Sequence, residues 1–247
     1  MISLRKLTKR FGEQVILDGI DLDFKRAEIV FLLGKSGVGK SVLLKTIVGL
    51  LRPDSGEIWV DGEEVSHFSE AQYYRIRKKC GMVFQFPALL DSLTVRENIA
   101  FGIRAHQLTQ NEDEITRLVK EKLSLVNLGP EILSRFPTEL SFGMQKRVSI
   151  ARTLAVNPDY LLFDEPTTGL DPVATALIDE LIRDLSRKLN VTSVVVSHDI
   201  RGALKIAHQI CFLNQGKIIE SGSAEEMRHP KSLLAQEFLF EATHENE

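Results

Sequence analysis

The sequence predicts an α/β fold centred on a parallel sheet, interrupted by an inserted helical region and accompanied by an antiparallel β portion. Short apolar runs at residues 29–33, 81–84, 160–163, 194–196 and 210–213 lack polar alternation, the pattern of strands buried on both faces. Segments of helical spacing lie between them, and strand–helix alternation builds parallel sheets through crossover helices. From about residue 86 to residue 155 strands give way to helical patterns alone, which reads as an insertion into the sheet.

The elements follow in order. Ile29, Val30, Phe31, Leu32 and Leu33 form a buried strand, followed by a Gly-rich turn and then helical spacing of apolar residues over 42–51. Residues 52–56 carry Pro53 and Gly56 and form a turn, 57–60 form a strand, and Asp61-Gly62 is a hairpin signal because glycine takes positive φ freely. Ser69 and Gln72 have capping-box spacing ahead of a helix, and 81–84 form another strand. Thr109 and Glu112 open a helix whose first turn is acidic (Glu112, Asp113, Glu114) and whose end is basic (Lys120, Lys122), complementing the helix dipole. After the strands at 160–163, 194–196 and 210–213, Asn214, Gln215 and Gly216 turn into a strand at 217–219. Ser223 and Glu226 then start a terminal helical region, and the polar residues 243–247 are expected to fray. The sequence shows no internal repeat. The whole reads as one domain, with a core of 1–85 and 156–222, a helical subdomain of about 86–155, and a C-terminal helical segment of 223–247.

Composition narrows the function classes. The 247 residues suffice to bury a core without disulfide or metal staples. Lys plus Arg number 31 and Asp plus Glu 34, a net charge of −3, so the global basic field of a nucleic-acid wrapper is absent. Cys80 and Cys211 are too few for a disulfide framework or a zinc site of their own, and read as buried thiols in a reducing compartment. No apolar stretch approaches the ~20 residues that cross a bilayer, and the start of the chain has no secretory apolar core. A role at a membrane therefore calls for another chain to hold the protein there.

The strongest chemical signal is Gly34, Lys35, Ser36, Gly37, Val38, Gly39, Lys40 and Ser41, a match to G-x-x-x-x-G-K-[ST] placed after a buried strand and at the opening of a helix. Its glycines let backbone N–H groups converge on phosphate oxygens, and the helix N-terminus adds partial positive charge. Lys40 supplies a point charge to the β- and γ-phosphates, and Ser41 a hydroxyl for Mg²⁺. By chance roughly one chain of this length in a hundred would match, and the flanking strand and helix make an accidental Gly-rich turn rarer still. The second signal is Asp164-Glu165 at the end of a buried strand. Asp164 can hold Mg²⁺ and Glu165 can polarise an attacking water. Alone, this pair would read as an acidic turn before Pro166; after a phosphate loop it does not.

Taken together, these motifs resemble the ATP-binding subunits of ABC (ATP-binding cassette) transporters over nearly the whole length. The resemblance implies a P-loop NTPase with a RecA-like core and an inserted ABC helical subdomain, hydrolysing ATP with Mg²⁺. It makes Phe11 the aromatic residue stacking on adenine and 34–41 the Walker A loop. Gln85 becomes the Q-loop glutamine, which contacts Mg²⁺ and moves with the membrane subunit. Asp164 becomes the Walker B aspartate, Glu165 the catalytic glutamate, Asp171 the D-loop aspartate and His198 the switch histidine sensing γ-phosphate. Leu140, Ser141, Phe142, Gly143 and Met144 align with the signature loop. Ser141 and Gly143 start a helix, an anion site with no cation of its own. It makes sense as half a site pressed against nucleotide bound by a second copy, which implies a homodimer with nucleotides at the interface.

Phe142 departs from the family pattern, which has glycine there, and Met144 stands where glutamine is usual. A ring at a close-approach position either crowds the phosphate or points outward without effect. If it crowds, closure and turnover are slow, and Phe142→Gly raises the ATPase rate.

Residues 84–98, 143–148 and 191–199 further resemble the ATPases of bacterial MCE-associated lipid transporters of the lipid-asymmetry and toluene-tolerance type. That implies a phospholipid or related cargo, integral membrane permease partners, an MCE-type lipid-binding subunit, and a place on the cytoplasmic face of the inner membrane. Polar amino-acid importers and lipoprotein-release systems share the same cassette. A soluble cassette ATPase acting on nucleic acid or ribosomes is the alternative of another class; the compact single cassette and the net charge weigh against it, and no nucleic acid is expected. A small-molecule kinase is disfavoured by the signature loop, D-loop and switch histidine. The basic run Arg75, Arg77, Lys78 and Lys79 reads as a solvated helix end rather than a lipid-headgroup patch. The other histidines are scattered and suggest no metal site. Residues 86–90 form either a turn packed on the core or an apolar surface for a coupling helix of the permease.

Overall fold

The computed structural model describes residues 1–244, with side chains through residue 240. In chain order the elements are β1 (Ile2–Phe11), β2 (Gln14–Phe24), β3 (Ile29–Leu33), α1 (Lys40–Ile47), β4 (Ser55–Val60), β5 (Glu63–Glu64), α2 (Glu70–Lys79) and β6 (Cys80–Val83). There follow α3 (Val95–Ala105), α4 (Glu112–Leu125), α5 (Phe142–Leu154), β7 (Tyr160–Asp164), α6 (Pro172–Leu189), β8 (Thr192–Ser197), α7 (Ile200–Ile206), β9 (Gln209–Asn214), β10 (Lys217–Ser223) and α8 (Leu233–His244). They form a six-stranded sheet of order β10-β9-β3-β8-β7-β6 and a four-stranded sheet of order β2-β1-β4-β5. In the larger sheet β6, β7, β8, β3 and β9 pair in parallel and β10 closes the edge antiparallel to β9. The smaller sheet is antiparallel throughout.

The parallel strands are apolar on both faces because each face meets a separate core. Ile29, Phe31 and Leu33 of β3 point into one cluster with α3, α4, α5 and α6, while Val30 and Leu32 point into the other with α1 and the antiparallel sheet. The same alternation splits Leu161 and Phe163 from Tyr160 and Leu162 on β7, and Ile210 and Phe212 from Cys211 and Leu213 on β9. Each such side chain contributes ~1.5–3 kcal/mol of burial. Because the inserted helices share a cluster with the sheet, they cannot move far without opening that core.

Local signals mostly hold. Asp61 and Gly62 take φ of 53° and 83°, joining β4 to β5 in a two-residue hairpin with both central residues left-handed. Ser69 N–H and Oγ–H both donate to Gln72 Oε1 at 2.9 Å ahead of α2. Several boundaries differ from the sequence reading: β4, β6 and β10 begin or end one to four residues from the runs read as strands, and three helix starts or ends shift for identifiable reasons. The phosphate-loop helix spans Lys40–Ile47 rather than 42–51, ending where Gly49 turns left-handed at φ 69°. Asn111, not Thr109, caps α4, accepting from the N–H groups of Asp113 and Glu114, because Thr109 Oγ1 is bonded to Glu114 Oε2 instead. Ser223 and Glu226 do bond reciprocally, but they open only a single 3₁₀ turn, and the terminal helix begins at Leu233. Of the stretch expected to fray, Thr243 and His244 belong to that helix and 245–247 lie outside the described residues.

Arg75 pairs with Glu63, Arg77 with Glu70 and Lys79 with Asp61, while the Lys78 ammonium sits 5.1 Å from the Tyr74 ring centroid. Arg75, Arg77 and Lys79 thus have local carboxylate partners, and Lys78 rests on a ring. Both cysteines are free and buried. Among the described residues no helix is long and apolar enough to cross a membrane.

Candidate active site

The site forms where β3, β7 and β8 end at one edge of the parallel sheet, the place where open α/β sheets bind ligands. Between β3 and α1, Gly37 and Gly39 take φ of 81° and 108°. A Cβ on Gly39 would lie 2.9 Å from the Ile16 carbonyl, so both conformation and space demand glycine there. Lys40, only 5 % exposed, folds back over the loop, its Nζ donating to the carbonyls of Gly34 at 2.7 Å and Lys35 at 3.1 Å. Ser41 Oγ donates to Asp164 Oδ1 at 2.5 Å, joining the loop to the end of β7.

Glu165 follows Asp164 with φ 48°, a left-handed conformation that costs a non-glycine residue ~1–3 kcal/mol. Its amide still donates to Val196 O on β8, so the strand ladder fixes the backbone while the side chain turns over the phosphate loop. Glu165 Oε1 lies 3.2 Å from Lys40 Nζ and Oε2 lies 2.8 Å from His198 Nδ1. Thr168 Oγ1 approaches Oε2 at 3.4 Å. Burial pushes the Glu165 carboxyl up, but the His198 hydrogen bond and the Lys40 charge outweigh it, and the net shift is downward. The hydrogen bond to Glu165 raises His198, against the opposing effect of burial. Each partner thus favours the charged form of the other.

These groups face a cavity of about 650 Å³, within the ~300–1,000 Å³ of small-molecule sites. Of the residues singled out in the sequence, Phe11, Lys35, Ser36, Gly37, Gly39, Lys40, Ser41, Gln85, Glu165 and His198 line it. Phe11 is half exposed, with Lys9 Nζ 5.3 Å from its ring centroid. Gly34 and Val38 do not line the cavity: Val38 packs onto the core, its Cγ2 3.0 Å from where a Gly34 Cβ would stand. Asp164 sits just behind the wall, reaching the site through Ser41.

Ser141, Gly143 and Asp171 are not brought into this cavity. Ser141 is exposed and caps α5, its Oγ accepting from Met144 N at 3.3 Å. Asp171 Oδ1 caps α6, accepting from Val173 N and Ala174 N, both at 2.9 Å. Phe142 opens α5. Its ring is half-buried in its own chain, 3.6 Å from the position of a Gly169 Cβ and 5.8 Å from Lys146 Nζ.

Sequence reasoning missed Ile16, Val42, Thr168 and Phe238, which also line the cavity. Thr168 was within reach, lying three residues beyond Glu165 in a turn. Phe238 arrives from α8, some two hundred residues from the phosphate loop, by packing edge-on to Phe212 at 5.8 Å. No local signal announces that contact. Residues 86–90 divide: Leu89 packs on the core while Phe86 is 67 % exposed. Beside them a shallow apolar hollow is lined by Met82, Leu90, Phe101 and Val156.

Residues 17–168 match the family model described as ABC transporter. The chain is 40 % identical over 240 residues, 97 % of its length and 90 % of the relative's, to the intermembrane phospholipid transport system ATP-binding protein MlaF of Haemophilus influenzae. It is 39 % identical, over 90 % of its length and 66 % of the relative's, to the methionine import ATP-binding protein MetN of Carboxydothermus hydrogenoformans. A solved dimeric post-hydrolysis state of the ATP-binding cassette MJ0796, bound to ADP and Pi, superposes with a TM-score of 0.83 at 33 % identity, covering 91 % of this chain and 99 % of that one.

Proposed function

The chain belongs to the ABC transporter family, and from that premise we propose that it is the ATP-hydrolysing subunit of a membrane transporter that moves phospholipid or a related lipid. The observation that carries the hydrolytic reading is the contact of Lys40, Glu165 and His198 at 3.2 Å and 2.8 Å over a phosphate loop. Backbone N–H groups of 34–41 and the Lys40 ammonium receive the nucleotide phosphates, with Phe11 at the base. The Ser41 hydroxyl and Asp164 carboxylate, two hard oxygen donors 2.5 Å apart, suit Mg²⁺, and Gln85 lines the same cavity as Ser41. That ion, when bound, neutralises charge on phosphate oxygens.

Lys40 cannot serve phosphate and Glu165 equally. Arrival of the phosphates draws its charge away from Glu165, leaving the carboxylate to accept a proton from the attacking water. His198 holds Glu165 in place and donates toward the transferring phosphoryl group. Ser141 and Gly143, which do not line the cavity of their own chain, complete the site of a second copy. His198→Ala is expected to lower turnover about a hundredfold while leaving ATP affinity within a fewfold, since its contribution grows as charge develops. Steady-state ATPase assays paired with equilibrium nucleotide binding check this; an affinity loss with preserved turnover contradicts it.

The lipid reading is supported by the 40 % identity spanning 97 % of the chain and by the resemblance within 84–98 and 191–199. Exposed Phe86 and the adjoining apolar hollow supply a surface for a permease segment on the cytoplasmic side of the membrane. Purification of the tagged chain from detergent-solubilised membranes, followed by mass spectrometry of proteins and extracted lipids, tests it. A permease, an MCE-type lipid-binding subunit and enriched phospholipid are expected. Recovery with an amino-acid-binding protein, or with no membrane protein, overturns it.

A further inference from the structure

Lys146 is fully buried on α5, where an ammonium is costly unless its donors are met. Its Nζ donates to two successive backbone carbonyls, Phe84 at 3.3 Å and Gln85 at closer range, in the segment leaving β6. Those carbonyls lie beyond the last residue of the strand, where the ladder no longer supplies donors. One helical turn before Lys146, Phe142 lays its ring 5.8 Å from the same ammonium and against Gly169, in the turn ahead of α6. A single buried cation and one ring thus join three segments: the stretch carrying Gln85, the helix whose start carries Ser141 and Gly143, and the turn leading to Asp171.

We propose that Lys146 is a positioning residue for hydrolysis, fastening the Gln85 main chain to the signature helix so that Gln85 and the Ser141–Gly143 terminus move as one body. The inference rests on the hydrolytic reading above. A role in packing alone has no use for a charge: a thioether or alkyl chain of the same volume would fill the space without desolvating an ammonium. Burial does pull Lys146 down to about 8, with Asp164 on β7 the opposing charge that favours its proton. Phe142, the signature residue that departs from the family pattern, becomes the cover of that cation, and its removal is expected to lower the rate.

The test compares Lys146→Met, Lys146→Arg and Phe142→Leu in the full-length chain. Lys146→Met keeps the volume and removes the donors. It is expected to reduce kcat by about tenfold to a hundredfold, the scale of a small misplacement, with ATP affinity within threefold. Lys146→Arg, which keeps donors and charge, is expected to recover a substantial part of kcat, and Phe142→Leu to lose less than Lys146→Met. Amide hydrogen exchange is expected to accelerate over 84–90 in Lys146→Met and stay unchanged over 34–41. Unchanged kcat and exchange in Lys146→Met overturn the proposal. So does a loss of ATP binding matching the loss of turnover, which marks a residue needed only for folding. Full turnover in Glu165→Gln would instead overturn the hydrolytic reading itself.

Discussion

Glu165→Gln is expected to reduce ATP hydrolysis by about 10²–10⁴-fold, the contribution typical of a positioned general base, while ATP binding persists or tightens. The amide keeps the shape of the carboxylate and cannot accept the proton of the attacking water. Binding is preserved for a reason specific to this site: Lys40 Nζ is 3.2 Å from Glu165 Oε1, and the neutral side chain no longer competes with phosphate for that charge. ATP-loaded chains should accumulate as dimers, read by size-exclusion chromatography with and without ATP; full turnover would remove Glu165 from its role. A spectroscopic consequence follows. The hydrogen bond to Glu165 raises His198, so Glu165→Gln should move the His198 imidazole titration to lower pH by NMR. The signs fix the window of the native pair. Glu165 is lowered, so its stabilising contribution is present above its unfolded value near ~4.5 and fades as pH falls through the folded one. His198 is raised, so its contribution is complete below ~6.5 and fades as pH rises through the folded value.

The parts of this site visible in the sequence are those in which one contiguous stretch does the whole task. The phosphate loop needs glycines at Gly37 and Gly39, a lysine and a hydroxyl within eight positions, and β3 shows as an unbroken apolar run because both its faces are covered. Strands β1 and β2 are harder to read. Their pairing shifts register between Leu4 and Leu7 and again near Lys9, so the two-residue alternation that marks a half-buried strand is broken. Asn111 outcompeted Thr109 as a cap through the Thr109–Glu114 bond, a contact that pattern alone cannot weigh. The Lys40–Glu165 pairing and the burial of Lys146 depend on where β3 and β7 end and α5 begins relative to one another. Residue type nominates such groups, but only the packed sheet says which of their partners they meet.

Lys40→Ala carries the other large expected effect, a loss of nucleotide affinity of about 1.5–3 kcal/mol from one charged hydrogen-bonding group, or roughly tenfold to a hundredfold in Kd. Isothermal titration with ATP and with ADP checks it, and unchanged affinity would count against the phosphate loop as the binding element. The deficit should be larger for ATP than for ADP, because the point charge serves the β- and γ-phosphates. Turnover should fall further than affinity, since the transferring phosphoryl group then develops charge without its nearest ammonium. The substitution also acts on Glu165, which is 14 % exposed and has Lys40 and His198 as its charged partners. With Lys40 gone, burial acts against a carboxylate held by His198 alone, and the Glu165 carboxyl is expected to titrate at higher pH than in the parent chain. The residual rate of Lys40→Ala should therefore fade at a less acidic pH than the parent rate does. A simple loss of binding, with Glu165 untouched, would lower the rate at every pH and leave the acid limb where it was.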